Sequence, residues 1–289
     1  MANVTVTTAA NFADEVWNPE LNRAIELDIV IASLFSDWSR KMTSGDVFHL
    51  VDRHNLTANT KSAGTDATPE AITEGEQTFS TWTHQITAQE IENIAQVLSK
   101  YDIRAEYTLA AAYSLARAMD VSGANLMDDN TAQTVGTLGA ELTDDNFLRA
   151  WQYLRDSAAK APFKGIASPA AWTGLLKIEK FIQALFNGDT QGKAVHEAQI
   201  GKVYQATFYV SQLTVGTAPN SSGHMWAGDH FFKIVRKPPT NDVWFSPLAK
   251  AWVLATDQIY GMFEKQEADE AAAVTTRARL HGCRLQTLK

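Results

Sequence analysis

The segment that decides the fold runs from Thr87 to Asp120 and reads TAQEIENIAQVLSKYDIRAEYTLAAAYSLARAMD. Its apolar residues recur at intervals of three and four, the spacing that places side chains on one face of an α-helix. Thr87 and Glu90 match a capping box at a helix start. Ser99 and Asp102 are capping-type residues that favour a break into two helices. The segment therefore predicts one helix of roughly 50 Å, or two helices in succession.

Two elements are predicted before this segment. Asn18-Pro19-Glu20 combines an N-cap residue, a proline at the first helical position and an early acid, and apolar residues then continue at helical spacing to about Lys41. Residues 1–17 are small and polar, and we expect them to form a flexible arm. Residues 47–61 and 71–86 are extended or alternating stretches on either side of turn residues, a pattern typical of a β-hairpin. A two-stranded hairpin is marginally stable alone, so we expect this one to lie on another surface.

After Asp120 the chain mixes helix and strand signals. Pro238-Pro239 marks a predicted domain edge. The predicted elements are a loop at 123–139, a helix at 146–160, a strand and helix over 165–186, a β-rich run at 203–214, a loop at 215–229, a strand at 231–236 and a returning strand at 273–283. This order of elements assigns the chain to the α+β class.

Composition excludes several classes of protein. The chain has 289 residues and a formal net charge of −8, without a run of Lys or Arg, so tight binding of nucleic acid through released counterions is not expected. One cysteine excludes an internal disulfide framework and fits a reducing compartment. The amino terminus resembles no signal peptide, and the most apolar window, residues 25–35, is too short to span a membrane. The sequence therefore predicts a soluble cytoplasmic product with no cofactor.

One cluster could carry chemistry. His224, Asp229 and His230 lie near glycines, and a metal-dependent hydrolase needs three such ligands and an open position for water. Ordinary loop residues explain the same cluster. No Gly-x-Ser-x-Gly elbow and no phosphate-binding loop occurs in the sequence. Cys283 stands in an apolar strand pattern, which favours a packed small residue over a nucleophile.

Aromatic residues suggest contact surfaces. Three of the eight tryptophans, Trp17, Trp38 and Trp82, fall on the predicted arm and hairpin, where the chain itself has little core to bury them. Exposed aromatic patches mark interaction sites. We predict that Trp38 and Trp82 pack at contacts between subunits; the alternative is that they fasten the arm and hairpin within one subunit.

The order of these elements resembles the major capsid proteins of tailed bacteriophages, whose shared architecture is the HK97 fold. The resemblance covers nearly the whole chain. Its motifs are Gly45-Asp46 with Leu56-Thr57, Ala105-Glu106-Tyr107-Thr108, Leu115-Ala116-Arg117-Ala118-Met119-Asp120, Ser168-Pro169 ahead of Leu175-Leu176, Ile200-Gly201-Lys202-Val203 leading to Tyr209-Val210-Ser211, and Tyr260-Gly261 with His281-Gly282. The sequence departs from the family at Gln205-Ala206, where a glycine often begins the strand.

This resemblance implies an organisation into five parts. Residues 1–44 would be the N-terminal arm with its amphipathic helix, 45–86 the E-loop hairpin, and 87–139 the spine helix of the P domain with the loop after it. Residues 140–240 would be the A domain, and 241–289 would return to strands of the A and P domains. Lys61 would lie near the hairpin tip, and some members of the family join subunits through such a lysine and an asparagine of a neighbour.

The resemblance also implies a function. The chain would be a structural protein and not an enzyme, and would form hexamers and pentamers of an icosahedral head around double-stranded DNA that it does not bind by sequence. Expected partners are a scaffolding protein, a portal and possibly a decoration protein, and no membrane. The expected location is the virion, after assembly in the host cytoplasm. A protein nanocompartment shell shares the fold and remains an alternative.

Overall fold

The structure is a computed structural model, and it describes residues 26–27, 29–52, 58–67, 69, 75–99, 102–178, 202–268 and 277–288. The predicted flexible arm of residues 1–17 and the helix start at Asn18 lie outside the described residues. The predicted helix over 170–186 is wrong from residue 176, because the helix there spans Pro169–Leu175 and residues 176–178 are not helical; residues 179–186 lie outside the described residues. The helices are α1 (Ile31–Leu34), α2 (Asn93–Leu98), α3 (Ile103–Asp128), α4 (Asp144–Asp156) and α5 (Pro169–Leu175). The strands are β1 (Ser36–Asp37), β2 (Phe48–Asp52), β3 (Gly75–Phe79), β4 (Thr83–Glu92), β5 (Thr134–Gly136), β6 (Phe163–Ala167), β7 (Lys202–Val203), β8 (Ala206–Val210), β9 (Asn220–Ala227), β10 (Phe231–Ser246), β11 (Ala251–Glu264), β12 (Glu267–Ala268), β13 (Arg277–Ala278) and β14 (Gly282–Leu288).

The strands form two main sheets. A four-stranded sheet has the order β1-β10-β11-β4, and a six-stranded sheet has the order β5-β14-β9-β6-β8-β7. The helix α3 packs on β11, and α4 and α5 pack on the six-stranded sheet. The pairs β2-β3 and β12-β13 each form a separate two-stranded sheet. Mixed sheets with helices on their faces confirm the α+β class.

The prediction of helix from Thr87 is wrong for the first six residues. Residues 87–92 belong to β4, which pairs antiparallel with β11 from Thr83↔Tyr260 to Glu92↔Ala251. The break expected near Ser99 is real, because α2 ends at Leu98 and the Asp102 side chain caps α3 by accepting from the Ala105 amide at 3.3 Å. The spine is thus α3, with 26 residues and a length of about 39 Å.

The predicted amphipathic helix ending near Lys41 is also wrong where the structure describes it. Only α1 is α-helical there; β1 and a 3₁₀ turn at Ser39–Lys41 follow. The Asp37 carboxylate accepts from the Ser39 amide at 2.9 Å and from its hydroxyl at 2.5 Å, a local arrangement that competes with helix. The strand β1 then pairs parallel with β10. The apolar spacing fitted a helix, but a neighbouring strand determined the backbone.

Two predicted loops contain regular structure. In the first, α3 continues to Asp128. Gly123 lies within α3 and allows close packing on α1, because a Cβ there would lie 3.0 Å from Cγ2 of Ile31. In the second, β9 is buried along most of its length, so it lacks the alternation that identifies a strand. Gly223 allows β9 to approach β6, since a Cβ there would lie 2.5 Å from the Ile166 carbonyl oxygen.

The strand β10 contains Pro238-Pro239 and continues past residue 240, where the sequence predicted the edge of the A domain. Register shifts in the β10-β11 pairing fall between Val235 and Lys237 and between Lys237 and Thr240, at these prolines. The strand β1 pairs with β10 only at Phe232 and Lys233. The prolines therefore lie at a bulge on an edge, where a missing N–H is tolerated. Residues 231–246 belong to the four-stranded sheet, and β14 returns to the six-stranded sheet.

Helix caps and a tight turn shape the six-stranded sheet. The hydroxyls of Thr143 and Ser168 accept from backbone amides at the starts of α4 and α5. Tyr204 and Gln205 have positive φ angles of 47° and 65° in the two-residue turn that joins β7 to β8. The Tyr204 hydroxyl donates to Asp144 at 2.5 Å, so the turn is fastened to the start of α4. These contacts allow the turn to form without the family's glycine.

One hydrophobic core lies between the six-stranded sheet and the helices α4 and α5. Its buried side chains include Phe147, Leu154, Phe163 and Leu285. Cys283 is buried in the same core, and burial raises the pKa of its thiol to about 12. This placement matches the prediction of a packed small residue. Within the described ranges, no helix is both long enough and apolar enough to cross a membrane.

Candidate subunit-contact surfaces

The strands β2 and β3 form a hairpin that stands apart from both main sheets. They pair antiparallel from Phe48↔Phe79 to Asp52↔Gly75. Residues 58–67, between the strands, are exposed, and so is Lys61 among them. Val51 is 65% exposed although it lies within a strand. The outer half of this hairpin therefore presents surface that the subunit itself does not cover.

The base of the hairpin is fastened to the body by aromatic rings. Phe79 contacts Phe232 edge-on with ring centroids 5.2 Å apart, and Phe48 lies 6.3 Å from Phe232. The Gln77 side chain adds a polar contact, because its amide donates to the Gln266 carbonyl and its oxygen accepts from the Gln266 amide at 3.2 Å. The hairpin thus has a fixed base, and the described residues of its outer half, 58–67, are exposed.

The tryptophans predicted as subunit contacts lie at this base. Trp38 is 8% exposed and stacks on Phe232 with centroids 4.1 Å apart. Trp82 is half-buried, packs edge-on against Phe263 at 5.5 Å, and donates from Nε1 to the Asp46 carbonyl at 2.6 Å. Both rings have partners within their own subunit, as the alternative interpretation expected. A contact with another subunit stays a prediction, and Trp82 has the larger exposed area for it.

A second group of exposed apolar residues, not predicted from the sequence, lies at the far end of the four-stranded sheet, with Val243 and Phe245 on one face of β10 and Trp244 on the other. Its residues, which we call the distal patch, are Ile94, Val243, Trp244, Phe245 and Leu248. The turn between β10 and β11 and the start of α2 meet there, since the Asn93 amide donates to the Lys250 carbonyl at 3.0 Å. A groove of about 510 Å³ lies beside the patch, lined by Glu92, Asn93, Ile94, Ala249 and Lys250. Aromatic residues around Pro247 were the available signal.

Comparison with solved structures identifies the fold. The chain is similar to a structure from Mycobacterium phage Che8, with a TM-score of 0.79 and 17% identity over 95% of this chain and 97% of that one. It is similar to the capsid structure of cyanophage P-SCSP1u, with a TM-score of 0.76 and 13% identity over 99% and 96%. The head structure of Helicobacter pylori bacteriophage KHP40 gives 0.75 and 11% over 99% and 98%. This chain has an HK97-like fold.

The similarity is visible in structure and not in sequence. No protein-family model matches the chain, and no curated protein matches it. The HK97-like architecture extends over nearly the whole length of both chains in each comparison. The fold resemblance drawn from short motifs is therefore confirmed.

Within this HK97-like fold, the three candidate metal ligands do not share one site. His224 and His230 are buried, whereas Asp229 is exposed on the turn between β9 and β10. His230 Nε2 lies 2.9 Å from Glu264 Oε1, which also accepts from Asn130 Nδ2 at 2.6 Å. In the part of the chain that the structure describes, no three His, Cys, Asp or Glu side chains are arranged to hold a metal ion. The geometry does not favour the hydrolase hypothesis.

The environment of His224 has electrostatic consequences. Neither ring nitrogen of this buried side chain has a hydrogen-bond partner in the structure. Burial is the main reason that the pKa of His224 lies well below its usual value, and the nearby charges of His230 and Arg284 lower it further. The ring is therefore neutral at pH 7 and packs against Phe231, with centroids 5.3 Å apart.

Proposed function

We propose that this chain is the major capsid protein of a tailed bacteriophage, which assembles into hexamers and pentamers of an icosahedral head enclosing double-stranded DNA. The observation that carries the proposal is the agreement in fold over at least 95% of this chain with capsid and head structures. Shared fold alone is compatible with several functions. Here the subunit also has a projecting hairpin and a group of exposed apolar side chains, the distal patch. Self-association would cover both.

Assembly follows from the uncovered surface of one subunit. The outer hairpin and the distal patch carry apolar side chains in water, and such surfaces mark sites of association. In a symmetric shell each contact is repeated in every subunit, so weak contacts accumulate into a stable lattice. We assign subunit contacts to Trp82, to Lys61 at the exposed hairpin loop and, over its small exposed area, to Trp38.

The parts of the HK97 fold are assigned with revised boundaries. We retain residues 1–44 as the N-terminal arm and shorten the E-loop to residues 45–82, because β4 begins at Thr83. The P domain would contain α3 with β4, β10 and β11, because these elements pack together. The A domain would be the six-stranded sheet with α4 and α5, closed by β14.

The expected partners follow from this role. DNA would be enclosed without sequence-specific binding, because a net charge of −8 does not favour a grip on phosphates. A scaffolding protein and a portal would complete the head, with a decoration protein as a further candidate partner. The head would assemble in the host cytoplasm and become part of the virion. The protein would act as a structural component, without catalysis.

Expression of the chain followed by size-exclusion chromatography and electron microscopy tests the proposal. Uniform closed shells are the expected result, and discrete monomers at high protein concentration would contradict it. Particles from the native source separate a phage head from a nanocompartment, because a head contains double-stranded DNA and a nanocompartment contains protein.

Mass spectrometry of denatured shells tests the role of Lys61: multimers lost in Lys61→Arg would establish a crosslink, whereas monomer alone excludes it.

A further inference from the structure

Residues 30–34, near the end of the arm, are held by charged groups of the body. Asp120, on α3, is fully buried, and its Oδ2 accepts from the amides of Val30 at 2.7 Å and Ile31 at 2.9 Å. Its Oδ1 accepts from the Ala32 amide at 2.7 Å. One carboxylate therefore satisfies three backbone donors at the start of α1, a contact between residues about ninety positions apart. Asp120 ends a motif whose role the sequence left unexplained.

Two lysines bind the other end of the same turn. Lys233 Nζ donates to the Ala32 carbonyl at 2.8 Å, and Lys164 Nζ donates to the Leu34 carbonyl at 2.6 Å. Burial lowers the pKa of Lys164, as expected for an ammonium group withdrawn from water. Negative charge at the start and positive charge at the end complement the helix dipole.

The three charged groups come from three different parts of the body. Asp120 belongs to α3, Lys164 to β6 of the six-stranded sheet and Lys233 to β10 of the four-stranded sheet. The helix α1 has four residues and no side-chain cap of its own, and a single isolated turn is not stable in water. Its conformation therefore depends on groups that the body supplies.

We propose that Asp120, Lys164 and Lys233 form a clamp that fixes residues 30–34, the segment that joins the amino-terminal arm to the body, and that assembly requires this clamp whereas folding of the two sheets does not. Asp120 is a positioning residue: it holds residues 30–32 of its own chain, and its effect on other subunits would pass through the arm. The assembly requirement rests on the proposed capsid function. The clamp itself can be tested on single subunits.

Amide exchange measured by mass spectrometry on dissociated subunits is the first test. In Asp120→Asn, the side-chain amide faces backbone donors, so residues 30–32 are expected to exchange about tenfold faster or more, the effect of losing one charged hydrogen bond. Exchange in β6 and β9 should be unchanged. Asp129→Asn, an exposed site at the end of the same helix, is the matched control and should match the wild type. Unaltered exchange at residues 30–32 in Asp120→Asn would overturn the clamp.

Lys164→Met and Lys233→Met keep the proposal testable if Asp120→Asn does not fold, with exposed Lys160→Met as control. Each should accelerate exchange at residues 32–34, and wild-type exchange in both would overturn the clamp.

Shell yield by electron microscopy is the second test: the clamp variants should give few shells. A normal yield with accelerated exchange would overturn the assembly requirement. Absence of shells from the wild type would instead contradict the capsid function, and the exchange comparison would still decide the clamp.

Discussion

Buried polar side chains are the residues whose roles depend most on neighbours distant in sequence. Glu264 at the end of β11 contacts His230 and Asn130, and it lies 3.1 Å from Arg279 Nε. His224 lies in the same region without a hydrogen-bond partner for either ring nitrogen in the structure. The residue types suggested a metal site. Their environments show instead a paired carboxylate and a neutral imidazole.

We expect His224 to make stability depend on pH. The folded state lowers the pKa of this histidine below its usual 6.5, so the unfolded chain binds the proton more readily. Its stabilising contribution is complete above about pH 6.5 and is lost as the pH falls below that value, at about 1.4 kcal/mol for each pH unit. Urea unfolding of dissociated subunits between pH 5 and 8 measures it.

In His224→Gln this part of the pH dependence should disappear. His49→Gln is the control for the substitution itself, because His49 lies on the hairpin beside Glu76 and outside the region that contains His224. A His224→Gln profile parallel to that of the wild type down to pH 5 would show that the imidazole does not resist protonation.

Trp82 fastens the hairpin base, and Trp82→Ala should lower the free energy of unfolding by about 2 kcal/mol, since a half-buried ring is removed. If its exposed part also contacts another subunit, assembly should fall more than stability does. Trp82→Phe separates the two effects, because a phenyl ring can still pack against Phe263. Denaturant unfolding and shell yield are the measurements, and unchanged assembly of Trp82→Ala would count against the subunit contact.

Among the secondary-structure elements, the hairpin formed by β2 and β3 has hydrogen bonds between its own two strands. In the part of the chain that the structure describes, it is attached to the body through its aromatic base and through Gln77. A two-stranded sheet with an exposed outer half gains little stability from its own subunit. Its sequence is therefore better explained by contacts with a neighbouring subunit than by folding of the monomer.

Val51→Asn tests this explanation. Because Val51 is 65% exposed, its replacement should change the free energy of unfolding by less than about 0.5 kcal/mol. Shell yield should fall if the side chain is buried against a neighbour. Thr78→Asn, an exposed polar position on the partner strand, should preserve both quantities. A normal shell yield from Val51→Asn would place this side chain in solvent in the shell.

Among the exposed apolar side chains of the described residues, we assign two separated groups to subunit contacts: Val47 and Val51 at the hairpin, and the distal patch. A single contact would make a dimer, whereas two different patches on one chain allow heterologous contacts that close under rotational symmetry. The net charge of −8 gives subunits a mutual repulsion that salt screens. Association should therefore strengthen with moderate ionic strength.

Leu248→Asp tests the distal patch. Leu248 is 101% exposed, so the charge should leave the unfolding free energy within about 0.5 kcal/mol of the wild type. In an apolar contact the same charge would be desolvated, and assembly should be prevented. Leu248→Ala should have a smaller effect. Sedimentation velocity measures both, and shells of Leu248→Asp at wild-type yield would show that the patch faces water.

Local sequence was sufficient for elements whose bonds are local. The alanine-rich part of α3 and the starts of α4 and α5 follow from residues within a few positions of one another, although both α4 and α5 end earlier than the predicted residues 160 and 186. The β2-β3 hairpin and the order of elements that indicated an HK97-like fold were also readable. In a helix each amide bonds to a carbonyl four residues away, so the pattern contains most of the required information.

The predictions that the structure contradicts share one cause. Residues 87–92 are a strand because β11, more than 150 positions later, pairs with them, and β10 continues past Pro238-Pro239 because, among the described residues, no strand pairs with its outer edge there. The role of Asp120 likewise depends on amides about ninety positions earlier in the chain. A strand's hydrogen bonds, and a buried carboxylate's, go to groups distant in sequence. Local propensity alone leaves helix and strand as alternatives for such segments. Packing between elements distant in sequence therefore determines which of the two forms.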